Sequence, residues 1–244
     1  MSDESDFITF PVAGFHLDGE AFVSACPKAD WRLICIPGAP SHTFLFKRLL
    51  QLAPEGLEVV VVNRFGYGKD HDEPVLDFND QARIVEPFLE DKRVIVLGAS
   101  YGGALALTAA LKYPTKIEGL ISSAALIGEP RDYAKAMADL NIPETLRTMA
   151  PKKLQRVRAE IHGRRPQIGP LLDRLEELRI PIEVLHGTLD TLVPKEDAAV
   201  LIKAIGDNAN YKEIIGGTHY LEMQFPYQIF KAASRVIKRI ESGV

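Results

Sequence analysis

The 244-residue sequence predicts an α/β fold: a mostly parallel eight-stranded sheet with helices on both faces and a small helical cap inserted within a single domain, residues 1–244. Three observations predict it. First, Leu33–Ile36, Val59–Val62, Val94–Leu97, Leu120–Ser122, Ile182–Leu185 and Tyr211–Ile215 are short apolar runs, most of them without alternation. A strand without a polar side has no solvent face, which is the condition of a parallel sheet covered on both sides. Second, helical stretches separate these runs, near Thr43–Leu52, Phe78–Leu89, Tyr101–Tyr113, Glu196–Ile205 and Tyr227–Ile240. Parallel neighbours need such crossovers, because a tight turn joins only antiparallel strands. Third, the alternation fails once, between about Gly128 and Arg179, where no strand pattern appears.

The elements follow in chain order. The first 30 residues suggest two antiparallel strands, near Ile8–Pro11 and Ala21–Ala25, joined by the turn Asp18-Gly19. The six apolar runs then supply the parallel strands. In the interruption, Tyr133, Met137 and Leu140 share a helical face, as do Leu154, Val157 and Ile161, and then Leu171, Leu172, Leu175 and Leu178. Pro143, Pro151, Pro166 and Pro170 suit helix starts. Residues 128–179 therefore read as a helical cap over one end of the sheet.

Composition narrows the function. A net charge of −4 predicts no nucleic-acid partner. No apolar run approaches the roughly 18 residues that span a bilayer, so no membrane partner is expected. The start, Met1-Ser2-Asp3-Glu4-Ser5-Asp6, is acidic and lacks a signal-peptide layout, so the expected location is the cytoplasm. Of the two cysteines, Cys35 lies in a strand pattern as a buried thiol, and neither it nor Cys26 has an activating context. The oligomeric state is not readable.

The chemistry starts at Gly98-Ala99-Ser100-Tyr101-Gly102, which follows the run Val94-Ile95-Val96-Leu97. Strand, G-x-S-x-G and helix form a nucleophile elbow, with the serine held on a strained turn above the sheet. Side chains either side of that turn would collide, hence Gly98 and Gly102, with room added by Gly103. A serine hydroxyl needs a base, and the base an orienting group. Among six histidines, His219 in Gly216-Gly217-Thr218-His219 lies just past the last strand. Asp190 lies in the loop after the penultimate one, whereas Ser122–Gly128, after the strand before, contains no carboxylate. Ser100, Asp190 and His219 thus sit just past strand carboxyl ends, where open α/β sheets place their sites.

With these residues the chain resembles the α/β-hydrolase-fold superfamily, in its serine-nucleophile, esterase-like branch, over essentially its whole length. Asn63-Arg64-Phe65-Gly66-Tyr67-Gly68 is similar to the family's D-R-x-G-x-G loop and Pro37-Gly38-Ala39-Pro40 to its H-G-x-P oxyanion loop. Pro37 and Asn63 depart from the usual histidine and aspartate, which bears on loop geometry and substrate preference. The serine sets the chain apart from dehalogenase and epoxide hydrolase branches that use aspartate.

The resemblance implies a serine hydrolase acting on carboxylic esters of small to medium acyl substrates. Ser100 is the expected nucleophile, His219 its base and Asp190 the acid, with backbone N–H groups of Ala39 and Tyr101 receiving the oxyanion. No metal or organic cofactor is expected; there is no Walker A loop and no H-E-x-x-H. Phe65, Met137, Leu140, Leu146 and Met149 are the expected apolar pocket. Arg131–Arg179 holds 11 Lys or Arg against 7 Asp or Glu. That basic excess reads either as a solvated helical face or as recognition of an anionic substrate. The alternatives kept open are a thioesterase or carbon–carbon bond hydrolase on an anionic substrate, a cofactor-free perhydrolase, and a non-catalytic ligand-binding protein.

Overall fold

A computed structural model describes residues 5–26, 28–69, 71, 73–128 and 151–243. Strands β1 (Ser5–Phe10), β2 (Gly19–Ser24), β3 (Trp31–Ile36), β4 (Leu57–Asn63), β5 (Arg93–Ala99), β6 (Ile117–Ser123), β7 (Ile182–Gly187) and β8 (Ala209–Ile214) form one sheet. Their order is β1-β2-β4-β3-β5-β6-β7-β8. The pairings of β1 with β2 and of β2 with β4 are antiparallel, and β3 to β8 are mutually parallel. The chain leaves β3 for β4 on one side and returns as β5 on the other. That reversal opens a crevice at the carboxyl ends of β3 and β5.

Alternate residues of the strands face opposite layers. Val96 of β5 lies in the core layer that holds Ala106 of α3 (Tyr101–Lys112), whereas its neighbour Leu97 lies in the layer on the other face, which holds Leu49 of α1 (Lys47–Gln51). Both are fully buried, which explains the lack of alternation in the sequence. The stretch beginning at Phe78 is α-helical only over α2 (Phe78–Ala82) and continues as a 3₁₀ turn, Arg83–Phe88, containing Pro87. Pro87 has no N–H to give to an α-helical ladder.

One local expectation is corrected. The link between β1 and β2 is the whole segment 11–18, not a tight Asp18-Gly19 turn. Gly19 pairs with Phe10, and a Cβ on Gly19 would collide with the Phe10 ring. Glycine serves close packing there rather than turn geometry.

After β6, the described part of the insertion is helical: α4 (Lys152–Gly163), α5 (Arg165–Leu172) and a 3₁₀ turn, Leu175–Glu177. Ile168, Leu171, Leu175 and Leu178 are buried in the same core layer as α3, so α5 and the turn belong to the body. The expected pocket residues Met137, Leu140, Leu146 and Met149 lie outside the described residues. Three further helices complete the chain: α6 (Glu196–Ile205), α7 (Leu221–Gln224) and α8 (Pro226–Ser242). Both cysteines are free, and Cys35 is fully buried. Among the described residues, no helix is long and apolar enough to cross a membrane.

Candidate active site

Ser100 ends β5 and precedes α3 with φ 54° and ψ −122°, a left-handed conformation rare for a side chain with a Cβ. Three backbone hydrogen bonds hold it there. Its N–H donates to Ser123 O at 2.9 Å, and its carbonyl accepts from Gly103 N at 2.9 Å and Leu126 N at 3.0 Å. The glycines are explained by contact. A Cβ on Gly98 would strike the Gly102 carbonyl, across the turn as expected. One on Gly102 would instead strike the carbonyls of Ile36 and Pro37 at the end of β3. One on Gly103 would strike Ala125, so this third glycine is required by packing.

The β3 loop abuts Ser100. A Cβ on Gly38 would lie 2.9 Å from Ser100 Cβ, so only glycine lets the loop approach this closely. Ala39 follows it and lines the same cavity as Ser100. Tyr101 opens α3, where the first N–H groups have no acceptor within the helix. The Tyr101 side chain is fully buried against Phe78, so it offers the cavity no ring.

His219 and Asp190 meet as the sequence suggested. His219 Nδ1–H donates to Asp190 Oδ2 at 2.9 Å. Asp190 Oδ1 accepts from Leu192 N at 2.8 Å and Val193 N at 2.9 Å. Burial pushes this carboxyl up, but the His219 hydrogen bond and charge and the two N–H groups outweigh it, and its pKa falls below the ordinary value. The two loops are stitched together: Leu189 N donates to Gly217 O at 2.8 Å and Gly216 N to Thr188 Oγ1 at 2.9 Å. A Cβ on Gly187 would strike Gly217, so glycine permits their close crossing. Ser100 and His219 line one cavity without a hydrogen bond between them; such contacts are often long before substrate binds.

The cavity has a volume of about 310 Å³ and is mainly apolar. Its roof is α4, through Leu154, Val157 and Ile161, the face the sequence pattern singled out. Arg158 of α4 and Glu222 of α7 are among its polar wall groups. Phe65 is not part of it. Its ring is fully buried 4.5 Å from Phe15, because the loop after β4 turns that side chain into the core. Among the described residues, no cluster of His, Cys, Asp or Glu forms a metal site.

Several groups near the site have no role in the sequence reading. Glu222 is buried with Oε2 unpartnered, and burial pushes its pKa up to about 7. His186 Nε2 lies 3.8 Å from Asp190 Oδ2, and burial lowers its pKa. His71 accepts from Gly66 N and Gly68 N, both at 3.1 Å, and so pins the loop after β4. Arg64 in that loop and Glu160 of α4 form an ion pair with both side chains fully buried. The glycine pattern around Arg64 was visible; its partner, 96 residues away, was not.

Comparison with known proteins gives a consistent picture. The profile of the alpha/beta hydrolase family matches residues 33–232. A proline iminopeptidase of Thermoplasma volcanium is 36% identical over 108 residues, 41% of this chain and 36% of that protein. The chain thus spans about a third of that relative's length. Among solved structures, a membrane phospholipase A aligns at TM-score 0.76 with 17% identity, covering 98% of this chain and 87% of that one. A thermophilic esterase from Thermogutta terrifontis aligns at TM-score 0.72 with 17% identity, covering 96% and 99%.

Proposed function

The chain belongs to the alpha/beta hydrolase family, and from that premise we propose that it is a serine hydrolase acting on carboxylic esters of small to medium acyl groups. One observation carries this reading: Ser100, on its positive-φ turn, shares a cavity with a histidine bonded to a buried aspartate. Ser100 Oγ attacks the acyl carbon as His219 takes the proton, and His219 then returns it to the leaving alcohol. Asp190 fixes the histidine tautomer and stabilises the imidazolium. The N–H groups of Ala39 and Tyr101 receive the oxyanion, one such donor being worth about 10²–10³ in rate. Water then cleaves the acyl-enzyme by the same steps in reverse. Within the expected cap, α4 acts as the cover of the cavity and contributes the apolar wall against which the acyl chain packs. A volume of about 310 Å³ suits a short or medium chain.

The test is labelling with a fluorophosphonate followed by steady-state rates on p-nitrophenyl esters of two to ten carbons. The expected result is one label, on Ser100, and a rate optimum at a short to medium chain. Labelling with turnover of prolyl anilides but of no ester would replace ester by peptide hydrolysis. No labelling at Ser100 would overturn the reading.

A further inference from the structure

The fully buried Arg64 guanidinium faces three ways. Its Nη1 and Nη2 donate to Glu160 Oε1 at 2.5 Å and Oε2 at 3.1 Å. Nη2 also donates to the carbonyl of Gly38 at 2.8 Å. Its Cζ lies 4.7 Å from the centroid of the Tyr101 ring and 5.0 Å from that of Tyr67. The Tyr67 hydroxyl donates to Glu160 Oε2 at 2.8 Å, and the Arg64 N–H donates to Ser41 Oγ at 3.0 Å.

The Gly38 carbonyl matters because of what shares its peptide. The planar amide Gly38–Ala39 carries that C=O at one end and the Ala39 N–H at the other, joined by resonance. A charged donor on the oxygen polarises the amide and strengthens the opposite N–H as a donor. It also resists rotation of the peptide plane, which would turn the N–H away. The same guanidinium packs on Tyr101, whose N–H is the second oxyanion donor. Its counter-ion is on α4, adjacent in sequence to Ile161 of the cavity roof.

We propose that Arg64 is a positioning residue that sets the Gly38–Ala39 peptide for the oxyanion, and that Glu160 makes this setting depend on α4 being seated over the cavity. This rests on the serine hydrolase reading. Displacing α4 removes Glu160, frees the guanidinium to swing from the Gly38 carbonyl, and weakens the oxyanion site. Seating of the roof and stabilisation of the transition state are thereby one event.

The experiment compares wild type with Glu160→Gln, Arg64→Lys and Tyr67→Phe, on p-nitrophenyl butyrate and with a trifluoromethyl ketone that forms a tetrahedral adduct. The expected result is a fall in kcat of about 10- to 100-fold for Glu160→Gln and Arg64→Lys, a smaller fall for Tyr67→Phe, and KM within threefold throughout. The ketone Ki should weaken in proportion to the loss of kcat/KM, as required when an interaction acts on the transition state. A residue that merely supports the fold would not produce that proportionality. Should Glu160→Gln fail to fold, the same proportionality is read on Tyr67→Phe, which keeps the ion pair. Unchanged kcat and Ki, or raised KM at constant kcat, would overturn the coupling. A wild-type chain that is inert and unlabelled at Ser100 would overturn the reading beneath it, a result recognisable before any variant is made.

Discussion

The floor of the cavity is set by backbone: Ser100 at φ 54°, Gly38 against it, and Gly187 against Gly217. Side chains there add the groups proposed to react. The roof is tied down by side chains, above all the ion pair between Arg64 and Glu160, both fully buried. The difference predicts opposite responses to substitution. Floor side chains can be removed without disturbing the backbone that presents them, so the cost falls on catalysis. The roof loses its buried ion pair with a single side chain, so the cost falls on stability as well.

The largest expected effect tests the floor. Ser100→Ala should lower kcat by about 10⁶ with no loss of melting temperature, since the proposed mechanism has no covalent route without that hydroxyl. Residual activity within tenfold of wild type would break the comparison at its root. Next, Asp190→Asn should lower kcat by about 10⁴, because the carboxylate that holds the His219 tautomer becomes an amide. Adding His219→Ala should cost far less than the product of the separate losses, as for groups that act as a unit. A double-mutant cycle on kcat measures this, and additive losses would separate Asp190 from His219.

The roof should respond differently. Glu160→Ala leaves Arg64 charged and without its counter-ion inside the protein, a change that costs about 3–5 kcal/mol. Urea unfolding measures it. A loss below about 1 kcal/mol would mean that water reaches the guanidinium and the roof is not held by this pair. Arg64→Met with Glu160→Leu should recover much of the stability, because the buried charge is gone.

Much of the floor was legible in the sequence because its constraints are local. Gly98 to Gly102 and Gly216 to His219 each carry glycines within a few residues of a candidate reactive side chain, and short apolar runs mark the strand ends that hold them. The roof was only half legible. The spacing of Leu154, Val157 and Ile161 announced an apolar face, and that face lines the cavity. In the sequence Glu160 is the one acid among six cations between Lys152 and Arg165, and nothing near it indicates a partner across the fold. The cations themselves do not form one solvated face. Arg164 is buried and donates to the Gly128 carbonyl, and Arg156 donates to His71 O at 2.6 Å. Phe65, expected in the pocket, is buried in the core instead. Its place in a glycine-rich loop implied nearness to the site, but a side chain's direction depends on what the loop packs against.

Glu222, on the cavity wall, gives a pH signature. Burial first, and the nearby Asp190 charge, raise its carboxyl from an ordinary 4.5 to about 7, against a lowering by its own backbone N–H and by His219. The folded chain keeps the proton between those values while the unfolded chain has lost it. Stability therefore falls as pH rises from about 4.5 to about 7 and levels off above. Glu222→Gln removes that slope, so its melting temperature relative to wild type should climb by several degrees between pH 5 and pH 8. A constant difference across this range would show that water solvates the carboxylate.

The smallest expected effect concerns Lys152 and Lys153, exposed at the start of α4. Lys153 acts on His42, a cavity-wall residue whose pKa is lowered first by burial and then by that charge. Its field therefore reaches the cavity. With Arg158 also on the wall, an ester whose acyl chain ends in a carboxylate should be drawn in. Changing both lysines to Gln should lower kcat/KM for a hemisuccinate ester about two- to fivefold in dilute buffer and leave the matched butyrate ester unchanged. The difference should vanish by about 0.5 M salt, where screening shortens the reach of exposed charges to a few ångströms. Equal losses on both esters would mean that the lysines support α4 rather than steer substrate, and the roof would then act through its seating alone.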